Sequence, residues 1–178
     1  MLKKQYKNLV LSAFFIALGI ILPFITMQVP RIGNMLLPMH IPVMLCGFIC
    51  GGPYGFIVGL IVPLLRSVMT GMPVMIPMAV TMAPELAVYG LVTGLLYQRV
   101  KTRGFGIYIS LLTAMICGRI VWGVVSLGVF SLLGNAFTWK LFIMNGFVNA
   151  IPGIVIQLIL IPILVKRLKM TKELETSL

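Results

Sequence analysis

Residues 104–139 read GFGIYISLLTAMICGRIVWGVVSLGVFSLLGNAFTW, an apolar tract with one charge, Arg119, near its middle. How this tract is divided decides the fold. Cut at Arg119, it gives two segments, seven membrane crossings in all, and a basic C-terminal cluster left outside. Kept whole, it gives one long crossing and a total of six. Lys and Arg mark the cytoplasmic ends of membrane segments. Three clusters bear on the choice: Lys3, Lys4 and Lys7; Arg99, Lys101 and Arg103; and Lys166, Arg167, Lys169 and Lys172. Six crossings put all three on one side, so the tract is read as one span.

The surrounding composition supports a membrane setting. The 178 residues are 60% hydrophobic and 10% charged, against about 45–50% and 25% in soluble domains. Runs 8–30, 32–65, 67–98, 120–139 and 141–165 hold no Lys or Arg, and a helical crossing needs roughly 20 apolar residues. The run 32–65 is too long for one crossing, and CGGPYG at 50–55 supplies the break, with two glycines before a proline suited to a helix start. The chain is therefore read as an all-α integral membrane protein, one domain over 1–178 with six transmembrane helices and both termini cytoplasmic. The spans fall at about 8–26, 38–51, 53–70, 78–98, 105–132 and 145–165. The net charge of +11 is placed where topology needs it, so no nucleic-acid partner is inferred. The first apolar run outlasts a signal-peptide core and no A-x-A-like site follows it, so no cleaved leader is expected.

Candidate functional groups are few. Glu85, in APELAVYG at 83–90, is the only acidic residue before position 173. Arg119 lies at a similar depth, and Arg66 lies one to two turns from the outer end of its span. Ionisable groups in a membrane are expensive and mark function by default. Two readings stand. In one, Glu85 pairs with Arg119 or with Arg66 to fix helix register. In the other, these groups line a cavity opening outward, and the surplus positive charge receives a carboxylate or phosphate. Asn145 and Asn149, placed i and i+4, Trp122, Tyr89 and His40 are expected at the same level, and Asn34, in the first outer connection, is a further substrate-binding candidate. Cys46, Cys50 and Cys117 lie in apolar segments without ligand spacing, so neither metal nor cofactor is expected. No phosphate-binding GxxxxGK[ST] sequence and no nucleophile with a nearby base is found, so the chain is not read as an enzyme.

Small residues recur at four-residue spacing, among them Ala13 and Ala17 in LSAFFIALGIIL at 11–22; such spacing admits close helix contact. Six spans in a short chain, this AxxxA motif, a substantial first outer loop and basic inner termini resemble the substrate-binding (S) components of energy-coupling factor (ECF) vitamin transporters. NMLLPMHIPVMLCGFICGGPYG at 34–55, IVPLLRSVMTGMP at 61–73 and MAPELAVYG at 82–90 resemble the pantothenate-type subgroup more than the riboflavin, thiamine or biotin members. The resemblance implies a high-affinity vitamin-capture subunit in the cytoplasmic membrane of a prokaryote. Ala13 and Ala17 would contact a transmembrane coupling subunit, and two separate ATPase subunits would supply energy. The alternatives are the same role for folate, riboflavin or cobalamin, or a small stand-alone secondary carrier.

Overall fold

A computed structural model describes residues 2–25, 36–100 and 105–177, with side-chain positions for 2, 5–24, 36–100 and 105–168. Asn34 and the rest of the first outer connection up to residue 35 lie outside the described residues. The described chain is all helical: α1 (Leu2–Ile25), α2 (His40–Cys50), α3 (Gly52–Thr70), α4 (Val80–Val100), α5 (Gly106–Leu132), the short α6 (Trp139–Ile143) and α7 (Ile151–Ser177). In lipid a helix satisfies its own backbone hydrogen bonds, which is why long uncharged runs fold this way. Among the described residues, five helical stretches are long and apolar enough to cross a membrane.

The tract that decides topology is one helix. α5 runs unbroken through Arg119 for 27 residues, about 40 Å at 1.5 Å per residue. By contrast α2 has only 11 residues, about 17 Å against a hydrocarbon core of ~30 Å. Ten of those residues are buried, so α2 is surrounded by protein. It ends at Gly51, whose φ of 101° is open to glycine and strained for other residues. That geometry turns the chain directly into α3, whose first turn carries Pro53.

α4 is preceded by a kinked turn, Met75–Ala79, whose Ile76 has extended backbone (φ −118°, ψ 125°), and α7 by a wide, π-helical turn, Met144–Val148. The second differs from the expectation of a regular helix from 145. Asn145 sits in this turn and Asn149 caps it, the Asn149 backbone N–H donating to the Met144 carbonyl at 2.8 Å, five residues back.

Backbone contacts between glycines hold the centre. A Cβ built on Gly59 would strike the Leu86 backbone, one on Gly90 the Gly55 backbone, and one on Gly94 the Gly52 backbone. α3 and α4 therefore run antiparallel at backbone distance, as small residues permit in membranes. Gly47 of α2 closes on Gly90 and Thr93 from the other side. α1 packs on α2 and α3, and α5 covers α4, while α7 touches α2 and α5 more lightly. Phe15, Val43, Met44, Val58, Val62, Leu86, Tyr89, Leu111 and Ile161 belong to the core between them.

Candidate functional site

The helix register decides which charges meet. With Gly59 against Leu86, Glu85 stands level with the middle of α3, and Arg66 lies roughly 9 Å farther toward the end where α3 meets α4. Arg119 of α5 instead comes alongside, because Gly118, without a side chain, lets α5 close on the Tyr89 ring. Arg119 Nη1 lies 2.8 Å from Glu85 Oε1. The Tyr89 hydroxyl donates to the same oxygen at 3.0 Å, and His40 Nε2 stands 3.7 Å from it. Of the two pairings open to the sequence, the structure forms Glu85–Arg119. The carboxylate is 1% exposed and Arg119 6%, so each charge depends on the other for neutralisation.

Above this cluster opens a cavity of about 210 Å³. Glu85, Arg119 and His40 form its polar floor. Met78, Met82, Trp122, Phe130 and Phe137 line its sides, and Asn145 and Asn149 stand at its more exposed rim. The Asn149 amide donates to Asn145 Oδ1 at 3.2 Å. Trp122 is fixed by aromatic neighbours, stacked on Phe142 at 6.0 Å and edge-on to Phe137 at 5.7 Å. His40 is buried, and neither ring nitrogen has a hydrogen-bond partner. Buried polar groups are nearly always paired, so His40 holds unused donor and acceptor capacity beside the cavity.

The sequence candidates divide accordingly. Glu85, Arg119, His40, Trp122, Asn145 and Asn149 share the cavity. Tyr89 stands behind Glu85 and lines a smaller adjoining space of about 160 Å³ with Arg119 and Gln157. Arg66 is apart from both, with Nη1 4.0 Å from Met39 Sδ and its guanidinium 5.9 Å from the centre of the Phe24 ring. Ala13 and Ala17 lie on an exposed face of α1. Sequence reasoning missed Thr81, Met78, Met82 and Phe130. Thr81 was within reach, one helical turn before Glu85. A larger groove of about 380 Å³ between Ile120, Val124, Leu127 and Trp139 has no charged group in its lining and faces outward from the bundle.

The sequence model of the family described as "ECF transporter, substrate-specific component" matches residues 7–165. The chain belongs to that family. No curated protein and no solved structure matches it. As an ECF substrate-specific component, the protein is a multi-pass membrane subunit that binds a transport substrate and associates with the membrane and ATPase subunits of the transporter. Such components are substrate-binding transport subunits and not enzymes.

Proposed function

We propose that this ECF component captures pantothenate from outside the cell and presents it for ATP-driven uptake. In this reading the chain crosses a prokaryotic cytoplasmic membrane six times, with spans near 8–26, 38–51, 53–70, 78–98, 105–132 and 145–165 and both termini inside. The cavity end then faces outward. Pantothenate offers a carboxylate, two hydroxyls and an amide around a branched apolar centre. Glu85 Oε2 and His40 meet hydroxyl donors, Asn145 and Asn149 meet the amide, and Met78, Met82 and Trp122 pack the methyl groups. The observation that carries the reading is the buried His40 ring at the cavity floor, whose nitrogens make no hydrogen bond, Nε2 standing 3.7 Å from Glu85 Oε1 and Nδ1 facing no partner. A small hydrogen-bonding ligand relieves their desolvation. The choice of vitamin rests on the resemblance of segments 34–55, 61–73 and 82–90.

Ala13 and Ala17 serve the coupling subunit. Tyr6, Val10, Phe14, Ile21 and Phe24 share their exposed side of α1, and the alanines leave a notch in this bulky surface where a partner helix comes close.

The test is to extract the protein gently from its native membrane, identify any retained small molecule by mass spectrometry, and titrate purified protein with pantothenate. His40→Leu should weaken binding about five- to thirtyfold, the equivalent of one or two hydrogen bonds. Retention of folate, riboflavin or cobalamin, with no pantothenate binding, refutes the vitamin assignment.

A further inference from the structure

The carboxylates of the chain are quickly counted. It has three acidic residues, Glu85, Glu173 and Glu175. Glu85 is committed to Arg119 at 2.8 Å, and the other two lie at the far end of α7, beyond the basic cluster 166–172. Arg66 nevertheless sits at 5% exposure within the helical bundle. Arginine does not give up its proton in proteins, so the charge stays. Its described neighbours are a thioether sulfur and an aromatic ring; neither bears a formal charge, and Nε has no hydrogen-bond partner. The connection between α1 and α2 adds a further arginine, Arg31, and no acid. Charged groups within membranes pair with one another or mark a ligand path. This one has no acid of its own chain to pair with, so its anion comes from elsewhere.

We propose that Arg66 is the anion-recognising cation of the binding site, taking the carboxylate of the substrate, while Arg119 is reserved for Glu85. The proposal rests on the capture function above and assigns the ligand a direction. Met39, whose sulfur meets Arg66, precedes His40, which lines the cavity. Arg66 and the polar floor therefore flank the first turn of α2. The anionic end of the ligand lies toward Arg66, beside Met39, and its neutral hydroxyl and amide groups lie toward His40 and Glu85. The required class is a small mono-anion with neutral hydrogen-bonding groups at the other end. A guanidinium presents a two-pronged donor set that matches a carboxylate, and Nε is one of the prongs left open.

The experiment compares pantothenate with pantothenol, in which a neutral CH₂OH replaces the carboxylate. Wild type should prefer pantothenate by about ten- to hundredfold, the value of one charge-assisted bond. Arg66→Gln should erase the preference by weakening pantothenate alone, Arg66→Lys should restore part of it, and Arg119→Gln should weaken both ligands. Arg66→Met removes the charge without burying a new polar group and serves if the glutamine variant does not fold. A preference that survives at position 66, or that disappears only with Arg119→Gln, overturns the proposal. So does native mass spectrometry in which Arg66 variants lose a bound phospholipid while the preference stands. If wild type binds neither compound, the vitamin assignment has failed and acetate decides the anion site. Greater stabilisation of wild type than of Arg66→Met by acetate over chloride, at equal ionic strength, supports it, and equal stabilisation overturns it.

Discussion

Removing the negative charge at Glu85 should cost far more than removing both members of its pair. Glu85→Gln keeps an oxygen for the Tyr89 hydroxyl, now at 3.0 Å from Oε1, and strands Arg119 at 6% exposure. Stranding one partner of a buried pair costs about 3–5 kcal/mol. Arg119→Met strands the carboxylate instead, with a penalty at the lower end of that range because a carboxyl group can take up a proton. The double variant Glu85→Gln/Arg119→Met leaves no unpaired charge, and similar replacements elsewhere are near neutral; here about 0–2 kcal/mol is expected. The sum of the singles then exceeds the double by at least about 4 kcal/mol, a coupling well beyond the 0.3–0.5 kcal/mol scatter of independent sites. Reversible unfolding of the purified proteins in mixed micelles titrated with SDS measures all three. A double variant as unstable as the sum of the singles would refute the reasoning and return Glu85 to the role of an isolated ligand group.

Filling the notch on α1 with Ala13→Trp or Ala17→Trp should leave ligand affinity within about threefold, or roughly 0.65 kcal/mol. Uptake by cells carrying the complete transporter should fall sharply at equal membrane abundance, and full uptake would exclude α1 as the coupling face. Gly59→Leu places a side chain on the Leu86 backbone and should destabilise by about 1–3 kcal/mol or more. The same change at Gly128, with nothing within 4 Å of the added carbon, should be tolerated in the same unfolding assay. Cysteine introduced at 101 or 172 should react only with reagents admitted to the cytoplasm, and cysteine at 140 from outside. Labelling of 140 and 172 from one side contradicts six crossings.

The membrane class and the undivided α5 were legible because both follow from charge placement and length, which are one-dimensional. Arg119 did not split its tract because a neighbour neutralises it, and Glu85 was the one acid within reach to do so. Which arginine pairs with Glu85 was not legible. That depends on the α3–α4 register, fixed by Gly59 meeting Leu86 and Gly90 meeting Gly55, contacts that hydropathy does not encode. Asn145 and Asn149 came together for a reason other than the one the spacing suggested, since Asn145 lies in a π-helical turn that Asn149 caps, and not on a straight helix. Tyr89 was expected at the cavity and stands behind it, because its hydroxyl reaches back to Glu85.

The glycine contacts among α2, α3 and α4 also bear on how such a subunit changes its diet. Gly52, Gly55, Gly59, Gly90 and Gly94 meet through main chain, so this half of the protein is a chassis with no exchangeable parts. Many of the side chains that line the cavity, Met78, Met82, Trp122, Phe137 and the two asparagines, stand at the rim of that frame or are carried by α5 and the turns beyond it. They can be recut one at a time without disturbing the frame, and α1, which rests on that frame through Gly19 against Val62, keeps its own outer face unchanged. Under the proposed function, a lineage switches nutrients by editing the rim while the same proposed docking surface on α1 goes on serving the same machine.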